Sequence, residues 1–158
     1  MVGIFRTRRA GFSLIELVIV IAILGILAAV AVPRMSRGAA GATSSRLRAD
    51  LATMRSALEL YYVEHNNTYP TLANFENALI NQFTDVDGNL NATKTGVFIY
   101  GPYLKEVPTI QVGPRKGSNG VGAADAVGIA WLYNETTGAI TANTDTATDD
   151  TGTLYSSY

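Results

Sequence analysis

An apolar run of 21 residues, Phe12 to Val32, constrains this chain more than any other feature, and it contains one charge, Glu16. At a rise of about 1.5 Å per residue, a helix of this length crosses a hydrocarbon core of roughly 30 Å. Arg6, Arg8 and Arg9 stand before the run and Pro33 closes it. A carboxylate alone in hydrocarbon costs on the order of a few kcal/mol, so Glu16 requires an explanation. The competing reading is a cleaved secretory signal, with Ala29-Val30-Ala31 as the cleavage site and a mature start near Pro33. A signal of that kind has an apolar core of roughly 7–15 residues, and an early charge weakens it.

Beyond Pro33 the pattern changes from apolar all round to one-sided. Leu47, Leu51, Met54, Leu58 and the pair Tyr61/Tyr62 recur at steps of three and four, which predicts a helix with one buried face. Arg46–Asp50 and Arg55–Glu59 are expected i, i+4 ion pairs on its outer side, each worth a few tenths of a kcal/mol. Pro33, Gly38 and Gly41 mark where the long helix is expected to bend or melt locally, because proline removes a hydrogen bond and glycine is a poor helix former. Asn66-Asn67 suit a helix C-terminus, and Pro70 forbids continuation.

Leu72 to Phe83 reads as a short amphipathic helix, with Phe75, Leu79 and Phe83 spaced by four. Val97–Tyr100, Ala126–Tyr133 and Ala139–Ala142 are strand-like, and Asn134 to Gly138 has hairpin-turn chemistry. The expected fold class is α+β: a long N-terminal helix, half membrane-spanning and half amphipathic, packed on a small C-terminal antiparallel sheet. Trp131 is expected in or near that core.

The chemistry available to the chain is limited. It has no cysteine and one histidine, so thiolate nucleophiles, thiolate metal sites and disulfides are excluded, and an enzyme is not expected. Beyond residue 11 there are 9 basic and 13 acidic residues, which argues against nucleic acid as a partner.

Arg8-Arg9-Ala10-Gly11-Phe12-Ser13-Leu14-Ile15-Glu16-Leu17 resembles the prepilin leader of type IV pilins and type II secretion pseudopilins. The resemblance implies a pilin-like fold and cleavage by a prepilin peptidase between Gly11 and Phe12, with N-methylation of Phe12. It also implies an assembly role for Glu16, a helix-softening role for Gly25 and Pro33, and local melting between those two in a filament. Asp50-Leu51 through Leu58, Tyr61, Tyr69-Pro70-Thr71, Ala78-Leu79 and Gly101-Pro102-Tyr103-Leu104-Lys105-Glu106-Val107-Pro108 are similar to the major, G-type pseudopilin. Its implied function is a structural subunit of a periplasmic pseudopilus that drives protein export; a type IV pilus pilin and a membrane-anchored binding domain are the alternatives. The implied partners are further copies of the chain, minor pseudopilins, the peptidase, and an inner-membrane platform with its ATPase. The precursor is expected in the inner membrane, single-pass, with its head in the periplasm.

A physical reason for Glu16 accompanies the family's. Cleavage after Gly11 creates an amine one helical turn from the carboxylate, and carboxylates are favoured near a helix N-terminus. In a filament, a neighbour's amine is expected to pair with it.

The expected segments are 1–11 leader, 12–33 core helix, 34–66 amphipathic helix, 67–142 head and 143–158 acidic tail. Within the tail, the resemblance makes Asp145, Asp149 and Asp150 candidate calcium ligands, although Val107-Pro108-Thr109-Ile110 departs from the family's pattern. The alternative is a solvated polar tail.

Other signals carry bland readings. Asp85 to Asn89 is a loop turn, and Gly113 to Gly122 is a mildly basic surface loop without phosphate-loop order. His65 is expected to contact the last helical carbonyls.

Overall fold

The structure is a computed structural model that describes residues 11–158, with the side chains of residues 32–37 left aside. Arg6, Arg8, Arg9 and the leader up to Ala10 lie outside the described residues. Contacts divide the chain into two compact units, with the boundary between Ala39 and Ala40.

Helix α1 spans Leu14–Glu64 and includes Gly25, Pro33, Gly38 and Gly41. Within the first unit its side chains from Leu14 to Ala31 are exposed all round. Within the second unit α1 is amphipathic as the spacing predicts: Leu47, Leu51, Met54, Leu58 and Tyr61 are buried, and Arg46, Ala49, Thr53 and Leu60 face out. The helix ends where the asparagines stand. Asn66 and Asn67 take φ of 51° and 58°, a conformation that few residues besides glycine and asparagine adopt readily. Asn67 N–H then returns to the Tyr62 carbonyl at 3.1 Å, closing the terminus.

The predicted helix over Leu72–Phe83 is replaced by shorter pieces. A 3-10 turn covers Leu72–Asn74 and a wide π turn covers Asn77–Asn81, closed by Gln82 N–H on the Asn77 carbonyl at 2.9 Å. The apolar spacing holds for Phe75 and Leu79, which are buried, whereas Phe83 belongs to strand β1, Phe83–Thr84. Strand β2, Leu90–Asn91, pairs antiparallel with β1 across the Asp85–Asn89 turn. Asp85 Oδ1 accepts the N–H groups of Asp87 and Asn89 at 3.0 and 2.9 Å, so this acidic loop is indeed a turn.

The main sheet has three strands: β3 (Gly120–Gly122), β4 (Ile129–Tyr133) and β5 (Ile140–Ala142), in that order. The β4–β5 hairpin is antiparallel as expected. Asn134 Oδ1 accepts from Thr136 and Thr137 N–H in the turn, and Gly138 holds a φ of 70° with no room for a Cβ against the Tyr69 ring. The expectation of a purely antiparallel sheet is corrected by β3, which comes from the stretch read as a surface loop and pairs parallel to β4. Glycine permits this tight crossover: a Cβ on Gly120 would lie 2.5 Å from the Gly128 carbonyl oxygen.

Val97–Tyr100 does not form a continuous strand either. Tyr100 makes an isolated bridge to Thr84 and Phe98 one to Thr95 in its own turn, while Val97 and Ile99 are exposed.

The head's core lies between α1 and these elements. Phe75, Leu79, Ile110, Trp131 and Ile140 join the α1 stripe in one cluster. Trp131 is fully buried, and its indole N–H donates to the Pro108 carbonyl at 2.8 Å, which satisfies its polar edge.

Candidate functional site

The candidate functional residues fall in two regions, the start of α1 and the head. At the start of α1, Gly11, Phe12 and Ser13 precede the helix and are exposed, with Phe12 at 80%. Glu16 sits in the first helical turn, and its Oε2 accepts the Ser13 N–H at 2.9 Å. Ser13 and Glu16 therefore stand at the ends of a Ser-x-x-Glu pattern, and the glutamate half of a capping box is formed, satisfying the Ser13 N–H at the helix start. The carboxylate is thus engaged locally at the helix N-terminus, as expected for a carboxylate there, and the Ser13 N–H is the particular donor that the structure adds. Gly25 is helical, and a Cβ there would meet nothing within 4 Å. Pro33 is also within the helix; lacking an N–H, it leaves the Ala29 carbonyl without its usual i+4 donor. Among the described residues, Leu14–Ala31 is a helix long and apolar enough to cross a membrane.

In the head, the acidic tail is folded. Asp149 is buried; its Oδ1 accepts Thr151 N–H (2.8 Å), Thr151 Oγ1 (2.7 Å) and Thr153 N–H (2.9 Å). Its Oδ2 accepts the Tyr158 hydroxyl at 2.5 Å and faces Arg48 Nη2 at 3.4 Å. Hydrogen bonds from Tyr158 first, then Thr151 and Thr153, hold its carboxyl well below the usual carboxylate range. Asp145 and Asp150 are exposed and do not join it.

A calcium ion takes about six to eight oxygen ligands. Among the described residues no three His, Cys, Asp or Glu side chains are grouped to hold a metal. Thr144 Oγ1 is buried and unpaired among the described residues, but a single hydroxyl makes no cage. As arranged here, Asp145, Asp149 and Asp150 do not fit calcium.

His65 is placed more deeply than its position at a helix end suggests. It is 2% exposed, with Nδ1 on the Tyr61 carbonyl at 2.7 Å and Nε2 on Thr84 Oγ1 at 2.8 Å. Its ring stacks on Tyr61 at 3.7 Å between centroids. The expected carbonyl contact is present, and the link to β1 is additional. Burial pushes its pKa down, against the opposing pull of the Tyr61 carbonyl, Glu64 and Asp85. The expected Arg46–Asp50 pair forms at 3.6 Å, but Arg55 turns away from Glu59 to the carbonyls of Ile140 (3.1 Å) and Tyr158 (2.7 Å).

An exposed apolar helix with a glutamate in its first turn, together with a small α+β head, defines a pilin-like protein. Comparison with known proteins gives the same class: residues 6–32 match the family described as "Prokaryotic N-terminal methylation motif". The chain is 33% identical over 103 residues to the type II secretion system core protein G of Aeromonas hydrophila, covering 65% of this chain and 67% of that protein. It is 35% identical over 77 residues to the core protein G of Pectobacterium carotovorum subsp. carotovorum, covering 49% of each. No solved structure matches the chain. The chain belongs to the family of type II secretion system core protein G, the G-type pseudopilins.

Proposed function

We propose that this chain is the structural subunit of a type II secretion pseudopilus, cut between Gly11 and Phe12 and N-methylated at Phe12. The observation that carries the reading is the fully exposed apolar helix Leu14–Ala31, which lies wholly within the matched methylation motif. Such a surface is stable in a lipid bilayer before assembly or against identical helices afterwards. The head would stand in the periplasm while the helix sits in the inner membrane. Its partners would be further copies of itself, minor pseudopilins, the prepilin peptidase, and the assembly platform with its ATPase. No catalytic role and no nucleic acid are invoked.

Glu16 would select the assembled state. One of its oxygens caps its own helix through Ser13. The other is offered to the new amine at Phe12 of a neighbouring subunit, which fixes the axial register as subunits stack. Gly25 and Pro33 would let the intervening helix unwind in the filament. Deleting this chain and measuring export of secreted enzymes tests the reading. Loss of export with retained surface piliation and twitching supports a pseudopilus, whereas normal export with lost twitching overturns it.

A further inference from the structure

The family implies calcium in the C-terminal loop, and in this chain an internal set of donors occupies the carboxylate that would bind it. We propose that a calcium-independent latch, built from Arg48, Asp149 and Tyr158, fastens the C-terminal segment to α1. Asp149 is its hub. With three donors on Oδ1 and two on Oδ2, its lone-pair sites are filled, and its side chain is 2% exposed. A cation reaching these oxygens would have to displace the Thr151 and Thr153 N–H groups and the Tyr158 hydroxyl from an acceptor they already occupy.

Tyr158 is gripped at three points. Its hydroxyl donates to Asp149, its ring lies 4.2 Å from the Arg48 guanidinium, and its carbonyl accepts from Arg55 Nη2. Arg48 thus supplies beside the carboxylate the positive charge that a metal would otherwise bring. Between hub and arm, Tyr155 is buried, with its hydroxyl 3.3 Å from Ser44 Oγ on α1. Asp149, Tyr155 and Tyr158 are therefore each tied to the helix by side chains of the chain itself.

The protein's single tryptophan, Trp131, is fully buried in the head, so its fluorescence reports head unfolding within the full-length chain in detergent. Melting would be followed with calcium chloride and with EDTA for the wild type, Tyr158→Phe and Asp149→Asn. The expected result is one wild-type Tm in both buffers, and a fall of about 5 °C or more for Tyr158→Phe that calcium does not restore. Tyr158→Phe deletes one hydroxyl and keeps the ring, so it carries the test should Asp149→Asn fail to fold. A wild-type Tm that rises with calcium, saturable calcium binding in calorimetry, or a Tyr158→Phe variant melting with the wild type would overturn the latch.

Discussion

One helix, α1, serves two opposite solvents. From Leu14 to Ala31 it exposes leucine, isoleucine and valine on every side, and none of that window is buried within the chain. From Leu47 to Tyr61 it buries one stripe in a core that the same chain provides. Both stretches have the same backbone geometry, so secondary structure does not separate them. What separates them is where the apolar surface is satisfied. The head carries its partners with it, whereas the anchor requires lipid or other copies, and this dependence on surroundings is what an assembling subunit uses.

The contrast can be broken at either end. Glu16→Ala should have the largest effect: removing one partner of a buried ion pair costs about 3–5 kcal/mol, so filament yield and export should collapse. The head's melting temperature should stay at the wild-type value, as read from Trp131 fluorescence; a variant that assembles normally would contradict the role given to Glu16. Leu58→Ala should act in the reverse sense. Leu58 is 1% exposed in the head core, and such a truncation typically costs about 2–5 kcal/mol of stability. Its head should unfold at lower temperature or denaturant while the precursor still inserts and is still cleaved.

The smallest expected effect sharpens the head alone. His65 is held neutral by burial, with Tyr61, Thr84, Tyr100 and Tyr103 around its ring and Glu64 and Asp85 nearby. Its folded pKa is below the unfolded value of about 6.5, so the stability it contributes is complete above that pH and declines as pH falls through it. Urea midpoints measured between neutral and mildly acid pH should show this decline in the wild type and less of it in His65→Gln. Equal slopes in the two proteins would show that His65 is not the titrating group. Asp149, whose carboxyl is held low, adds a separate loss that begins as pH falls through the ordinary carboxylate range and continues below it.

How legible each part was in the sequence follows from the kind of signal it carries. The α1 stripe and the Asn66-Asn67 stop were readable because apolar periodicity and left-handed turns leave direct marks on residue choice. The Asn134–Gly138 hairpin was readable for the same reason. Strand β3 was not, since Gly120 and Gly122 contribute no apolar alternation; what counts there is the side chain they lack. The turns over Leu72–Asn81 share the buried spacing of a regular helix, so the pattern could not report that the backbone widens. The acidic tail misled in another way. Asp149 has the composition of solvated chain, and only its contacts with Thr151, Thr153, Tyr158 and Arg48 reveal that it is buried. Glu16 lay between these cases: its place was evident from sequence, its bond to Ser13 only from structure.

The central claim, that the apolar half of α1 belongs to a processed filament subunit, is tested most directly by the N-terminus of the mature protein. Intact-mass and N-terminal peptide mass spectrometry of the protein from cells should find a chain that begins at Phe12 and carries one added methyl group. A chain that begins at Pro33, or one that retains residues 1–11, would contradict it.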